Sequence, residues 1–160
     1  MAADPSEHPS ISAFRAELAR RGGTGRLEIL PASVHTAALA AAALGCEVGE
    51  IANSLLFVAE DEPVLVLTSG AHRVDTDRVA GRLGVGELRR AGADAVRRHT
   101  GQVIGGVSPI GHPAPIRTCI DRWLQRHDVV WAAAGHPSAV FSTSFDELVR
   151  LTGATPVDVD

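Results

Sequence analysis

Three groups of residues in this chain have types and spacing that could do chemistry. The segment "GQVIGGVSPIGHPAP", residues 101–115, packs four glycines and three prolines into fifteen residues. Gly105 and Gly106 permit positive-φ backbone and let a ligand approach main-chain N–H groups closely. Pro109 and Pro113 stiffen the loop, so such donors are held in place. A rigid rim of N–H groups suits an ester carbonyl or a phosphate, because preorganised donors meet negative charge without reorganisation. A tight structural crossover would have the same composition, and the residues alone leave both readings open.

The second group is Asn53, at the head of the apolar run "NSLLF". Asparagine has poor strand propensity, and its amide must be hydrogen-bonded if buried. The third is the histidines. His35 stands at the mouth of a helix and His112 lies in the glycine loop; either could be a base, or an imidazole satisfied at the surface. Arg73, after "TSGAH", and Arg78 could contact phosphate, or be solvated surface arginines.

Several other chemistries find no motif. None of the 15 basic residues is a lysine, so "GGTG" (22–25) cannot end as a phosphate loop does. "GVGELR" reads as a helix exit, not a dinucleotide fingerprint. The two histidines closest in sequence, His127 and His136, are nine positions apart. With no CxxC, the expectation is no metal and no cofactor. The serines in "TSGAH" and "GVSPIG" lack the G-x-S-x-G elbow, and no spacing supplies a triad.

The elements that must position these residues follow from periodicity. Ile11, Phe14 and Leu18 have helical spacing, and Gly22-Gly23 stop that helix. "RLEIL" (26–30) alternates as a strand, and "HTAALAAAALG" (35–45) is a small-residue helix suited to close packing on a sheet. "IANSLLFVAE" and "PVLVLTSG", joined by "DEP", predict an antiparallel hairpin. "DTDRVAGRLG" (75–84) is a helix capped by Asp75 and stopped at Gly84, and "DAVRRHTG" (94–101) is a shorter one. Strands are expected at "APIRTCI", "VVWAAAG" and "SAVFST", with a turn around Trp123. The last helix, "SFDELVRLTG", carries a capping box of Ser144 and Glu147. The hairpin argues against a pure βαβ repeat and for a mixed α/β (α+β type) sheet with peripheral helices.

Bulk properties bound the rest. The chain has 160 residues, 45% hydrophobic and 21% charged, which fits one folded domain over 1–160. No apolar run approaches the roughly 20 residues that span a bilayer, and "MAADPSEHPS" lacks signal-peptide character, so a cytoplasmic protein is expected. Cys46 and Cys119 read as ordinary, mostly buried thiols. The net charge of −4 argues against a broad duplex-binding surface, and so against DNA, but allows a small contact with a nucleic-acid end.

Taken in order, "HTAALAAAALG", "IANSLLF", "VLVLTSGAHRVD", "TGQVIGGVSPIGH", "IRTCID" and "AAAGHPSAVFSTSFDELVRLTG" resemble the YbaK-like family over about residues 26–158, after the N-terminal helix. That family includes prolyl-tRNA synthetase-associated editing domains. The resemblance implies a barrel-like mixed sheet and hydrolysis of a wrong amino acid from a tRNA 3′ end, usually proline tRNA. It implies the tRNA acceptor end as partner, with prolyl-tRNA synthetase as a second candidate, and no membrane. Its Gly-x-x-x-Pro loop matches Gly105–Pro109, so Gly105, Gly106, Ser108 and Pro109 become catalytic candidates. Substrate-binding candidates are His35, Arg73, Gly111, His112 and Gly135. The family mechanism leans on positioned water and substrate groups, which suits a chain without a triad. Many members read "IxKTLLF" where this chain has Asn53 and Ser54, so Asn53 stands at the position of the family lysine. It keeps a hydrogen-bond donor but loses the charge. The alternative to a deacylase is a non-catalytic module that binds aminoacyl-tRNA or a small ligand.

Overall fold

The computed structural model describes residues 8–31, 34 and 36–160. It opens with helix α1 (Pro9–Arg20), whose Ile11, Phe14 and Leu18 are buried as their spacing requires. Strand β1 (Leu27–Ile29) and helix α2 (Ala37–Leu44) follow, then a 3₁₀ turn (Val48–Glu50) leading into β2 (Ile51–Ala59). β2 and β3 (Glu62–Ser69) form the expected antiparallel hairpin, in register from Ala52↔Ser69 to Ala59↔Glu62. Helix α3 (Thr76–Leu83) is capped by the Asp75 carboxylate, which accepts from Arg78 N–H at 3.0 Å. Gly84 ends it at φ +68°, a left-handed conformation that glycine adopts without strain.

Next come β4 (Arg89–Arg90), α4 (Ala93–Thr100), the glycine-rich loop, β5 (Arg117–Asp121) and a second 3₁₀ turn (Arg122–Arg126). The chain closes with β6 (Val130–Ala133), β7 (Ala139–Thr143), α5 (Phe145–Thr152) and β8 (Thr155–Val157). The eight strands make one sheet in the order β1-β7-β6-β2-β3-β5-β8, with β4 attached to β2. The pairs β2/β6, β3/β5 and β5/β8 are parallel and the rest antiparallel, so the sheet is mixed.

Side-chain alternation splits this sheet into an inner and an outer face. The inner face packs Ala52, Leu56, Leu65, Leu67 and Phe141 against α1, α4 and α5. The outer face is covered in two patches. One gathers Ile51, Trp131 and Val140 under α2; the other gathers Phe57, Val64, Val66 and Cys119 under α3. Asn53 shares the outer parity of Ile51 and Phe57 and lies between the two patches. That interval in the cover matters for the site.

The structure departs from the sequence reading in four places. Asn53 is the third residue of β2, not its head. Strands β4 and β8 were not foreseen: each is two or three residues long and exists only through its partner. The strand expected over "APIRTCI" begins at Arg117, after the proline. The capping box of α5 is half closed. Ser144 Oγ accepts from Glu147 N–H at 3.0 Å, but the Glu147 carboxylate accepts from Thr143 Oγ1 at 2.9 Å and Thr24 Oγ1 at 3.0 Å. Both cysteines are free; Cys119 is buried and Cys46 half-buried. No described helix is long and apolar enough to cross a membrane.

Candidate functional site

A cavity of about 440 Å³ opens in the sheet beside Asn53, within the range of about 300–1,000 Å³ usual for small-molecule sites. Strand pairing explains why it is there. β6 pairs with β2 only at Ile51 and Ala52, and β4 pairs only at Phe57 and Val58. Residues 53–56 therefore have β3 on one edge and no ladder partner on the other. Ile51 C=O accepts from Gly70 N–H at 2.7 Å, on the hairpin side, whereas Leu56 C=O accepts from Ala91 N–H at 3.0 Å on the opposite side. Alternation then turns the Ser54 N–H and C=O toward the cavity. Backbone groups left unpaired inside a fold need a partner, and a ligand or water can be one.

Most of the wall comes from four parts of the chain, with Leu30, Val34, Pro137, Ala139 and Val140 among the rest. β2 supplies Asn53 through Leu56; α2 supplies Thr36, Ala37 and Ala40; β6 supplies Trp131 to Ala133. The fourth wall is Arg90 and Ala91 with Ile104, Gly105 and Val107 of the glycine loop. The lining is mostly apolar, with few polar groups. Among the described lining residues Arg90 is the one ionisable side chain, and no carboxylate, imidazole or thiol accompanies it. Its guanidinium lies 5.9 Å from the Phe57 ring centroid. Ser54 Oγ is enclosed and has no hydrogen-bond partner among the described residues.

The glycine loop is held from behind. Ser108 is fully buried: its N–H donates to Gln102 Oε1 at 2.7 Å and its hydroxyl to Ile110 C=O at 2.6 Å. Gln102 Nε2 donates back to Ser108 Oγ at 2.9 Å. His112 Nε2–H donates to Ser108 C=O at 2.8 Å, and burial pushes the His112 pKa below its usual value, favouring the neutral ring. In front, Gly105 sits at φ +90°, with open space where a side chain would begin. Gly106 N–H is tied to Val103 C=O at 3.0 Å, while Gly105 N–H has no partner among the described residues. Gly106 instead meets His136 and Pro137, whose backbone a Cβ would approach to 2.7 Å.

The residues singled out from sequence thus separate. Asn53 and Gly105 line one cavity. Gly106, Ser108, Pro109 and His112 are outside its lining, and Ser108 and His112 hold the loop in shape. Gly135, at φ +89°, and Gly111 back onto α1 residues, Ser10 and Glu17 respectively. Arg73 is exposed and outside the lining, and Arg78 donates to the Asp160 backbone carbonyl. His35 falls outside the described residues. Sequence reading missed Arg90, Ser54, Trp131 and Gln102. Ser54 and Gln102 lie inside segments already singled out, but their roles depend on packing; Arg90 and Trp131 sit in no local motif, and tertiary pairing alone brings them to the cavity. A buried imidazole–carboxylate pair does exist, His72 Nδ1 to Asp121 Oδ2 at 2.8 Å. It lies outside the cavity lining, and Asp121 also accepts from Ser69 and Trp123 N–H, fastening the loop after β3 to the end of β5.

A family profile described as "Aminoacyl-tRNA editing domain" matches residues 31–151. The chain belongs to the aminoacyl-tRNA editing domain family. Among curated relatives, the proline–tRNA ligase of Limosilactobacillus fermentum is 34% identical over 96 residues, covering 57% of this chain and 17% of the ligase. That of Levilactobacillus brevis is 27% identical over 108 residues, covering 68% and 19%. The chain thus spans under a fifth of the length of these ligases. A solved structure of a proposed trans-editing enzyme for prolyl tRNA synthetase is 42% identical, with TM-score 0.90, covering 95% of this chain and 97% of that one. The structure of hypothetical protein APE2540 is 32% identical with TM-score 0.84, covering 92% and 98%. The editing-domain fold therefore extends over nearly the whole chain.

Proposed function

We propose that this editing domain is a free-standing deacylase that removes a wrong amino acid from proline tRNA. The observation that carries the reading is that Asn53 and Gly105, from distant parts of the chain, line one mostly apolar cavity in which Arg90 is the one cation among the described residues. An amino-acid ester needs an apolar recess for its side chain, donors for its carbonyl oxygen, and a cation for the phosphate of the terminal nucleotide. Apolar walls, the Gly105 N–H with the Asn53 amide, and Arg90 supply these in turn.

Hydrolysis then proceeds by attack of water on the ester carbonyl. Negative charge gathers on the carbonyl oxygen, where fixed N–H donors lower the barrier. The ribose oxygen leaves and takes a proton. With no carboxylate or imidazole among the described lining residues, the proton that the water loses is relayed through the substrate's own α-amine or neighbouring ribose hydroxyl to the ribose oxygen that leaves. A second hydrolytic site is useful because one methylene is worth only about 1–3 kcal/mol to a synthetic site.

Asn53 favours a second reading. A neutral hydrogen bond is worth about 0.5–1.5 kcal/mol against about 1.5–3 for a charged one, so a pocket without the lysine could hold an aminoacyl end without hydrolysing it. Proline tRNA charged with Ala, Ser, Thr, Cys or Pro separates the two. A deacylase cleaves at least one mischarged form above the buffer rate and spares Pro. A binding module retains charged tRNA on a filter and cleaves none.

A further inference from the structure

A second polar cluster lies outside the cavity, where α2 turns toward β2. Glu47 and Glu50 flank the 3₁₀ turn before β2, and His127 ends the 3₁₀ turn before β6. One ligand atom from each of these three side chains lies within 4.8 Å of the others. The His127 side chain is only 13% exposed, yet it is poorly satisfied. Its Nδ1 faces Glu50 Oε1 at 3.9 Å, beyond hydrogen-bonding distance, and its Nε2 is enclosed without a partner among the described residues. Gly49 leaves room for the ring, since a Cβ there would stand 3.3 Å from Nε2.

A nearly buried imidazole whose Nδ1 makes no hydrogen bond, beside two carboxylates, leaves a place for a partner that all three can share. The donor set names its chemistry. Nitrogen with carboxylate oxygen suits a borderline divalent ion of the zinc class, whereas calcium and magnesium prefer oxygen alone. Bonds of about 2.0–2.2 Å in tetrahedral array set ligand atoms about 3.3–3.6 Å apart, so the three side chains close inward from the 4.8 Å within which they now lie.

We propose that Glu47, Glu50 and His127 form a binding site for a zinc-class divalent ion that clamps the starts of β2 and β6. Glu50 immediately precedes β2, and His127 lies just before β6. The β2–β6 ladder consists of Ile51↔Trp131 and Ala52↔Ala132, ending where the cavity opens at Asn53. An ion here fastens the two strands just before they part. The site needs no nearby histidine pair or CxxC, so local spacing could not reveal it. It is also independent of the deacylase reading.

The test is titration of the chelator-treated full chain with Co²⁺, followed by competition with Zn²⁺. One equivalent should bind, with the intense visible bands of four-coordination. Zn²⁺ should displace it and raise Tm. Cys46→Ser should leave binding unchanged. His127→Gln and Glu47→Gln should weaken binding at least about 10-fold, the loss usual even for residues that only support a ligand. Glu47 is exposed, so its substitution tests the site without disturbing packing. His136→Gln removes an imidazole outside the cluster, whose ring centroid stands 4.6 Å from that of His8, and should leave binding unchanged. Absence of one-equivalent binding, binding indifferent to Glu47 and His127, or binding lost in His136→Gln would overturn the proposal.

Discussion

Gly105 and Gly106 are neighbours, yet substitution should damage them for opposite reasons. At Gly105 a Cβ meets open space, but φ is +90°; the cost of alanine is backbone strain of about 1–2 kcal/mol. At Gly106 no such strain arises, but a Cβ would stand 2.7 Å from His136 C and Pro137 N and 2.8 Å from Pro137 Cδ. Overpacking of that kind costs about 1–3 kcal/mol or more. Asparagine tolerates left-handed backbone better than alanine, but it is larger. Urea unfolding should therefore rank Gly105→Asn at or above Gly105→Ala, and rank Gly106→Asn below Gly106→Ala. Gly105→Ala should stay folded while deacylation falls on the order of 100-fold, the effect of misplacing a reacting group by about an ångström. The same stability order at both positions would refute the packing argument. Wild-type turnover by folded Gly105→Ala would remove the loop from the site.

Asn53→Val should alter stability by less than about 1 kcal/mol, because valine suits a half-buried strand position at least as well, while binding or deacylation of mischarged tRNA falls. Asn53→Lys should raise turnover if the chain is a lapsed deacylase and lower it, or shift amino-acid preference, if the site is adapted to asparagine. Both substitutions silent in binding and turnover assays would place Asn53 outside the site. Ser54→Ala removes a hydroxyl that has no partner among the described residues, so denaturant unfolding should show a neutral or slightly stabilising change; a loss of about 1–3 kcal/mol would mean that a buried partner exists. His112 has its pKa lowered from 6.5 by burial, so its contribution is full above pH 6.5 and is lost as pH falls through the lower folded value. Wild type should therefore lose more Tm on acidification below pH 6.5 than His112→Gln, and parallel profiles would contradict that assignment.

Much of the fold was legible because local chemistry and tertiary structure agree. The Asp75 and Ser144 caps, the Ile11-Phe14-Leu18 spacing and the two apolar runs around "DEP" each state their element directly. The short strands β4 and β8 were not, since "RR" and "TPV" carry no periodicity and are strands only beside β2 and β5. The cavity shows the same division. Asn53 stood out as an amide in an apolar run, and Gly105 as part of a glycine cluster. Arg90 and Trp131 gave no signal, because their place depends on where β2 loses one neighbour and gains another; Ser54 was noticed only as the residue beside Asn53. Ser108 was conspicuous by type and motif, yet its hydroxyl is spent on Ile110 C=O and Gln102. Sequence could mark that the loop was special but not which of its atoms face a ligand.

The central claim is that Asn53 and Gly105 hold the carbonyl of an aminoacyl ester. The direct measurement is an NMR titration of the isotope-labelled chain with a non-hydrolysable 3′-aminoacylamino-adenosine phosphate. The expected result is saturable binding with the largest shifts at the Gly105 backbone amide and the Asn53 side-chain amide, and weaker binding when the phosphate is removed or Arg90 becomes Gln. Saturable binding that leaves Gly105 and Asn53 unmoved, with its shifts around Arg73 or Trp123 instead, would contradict it.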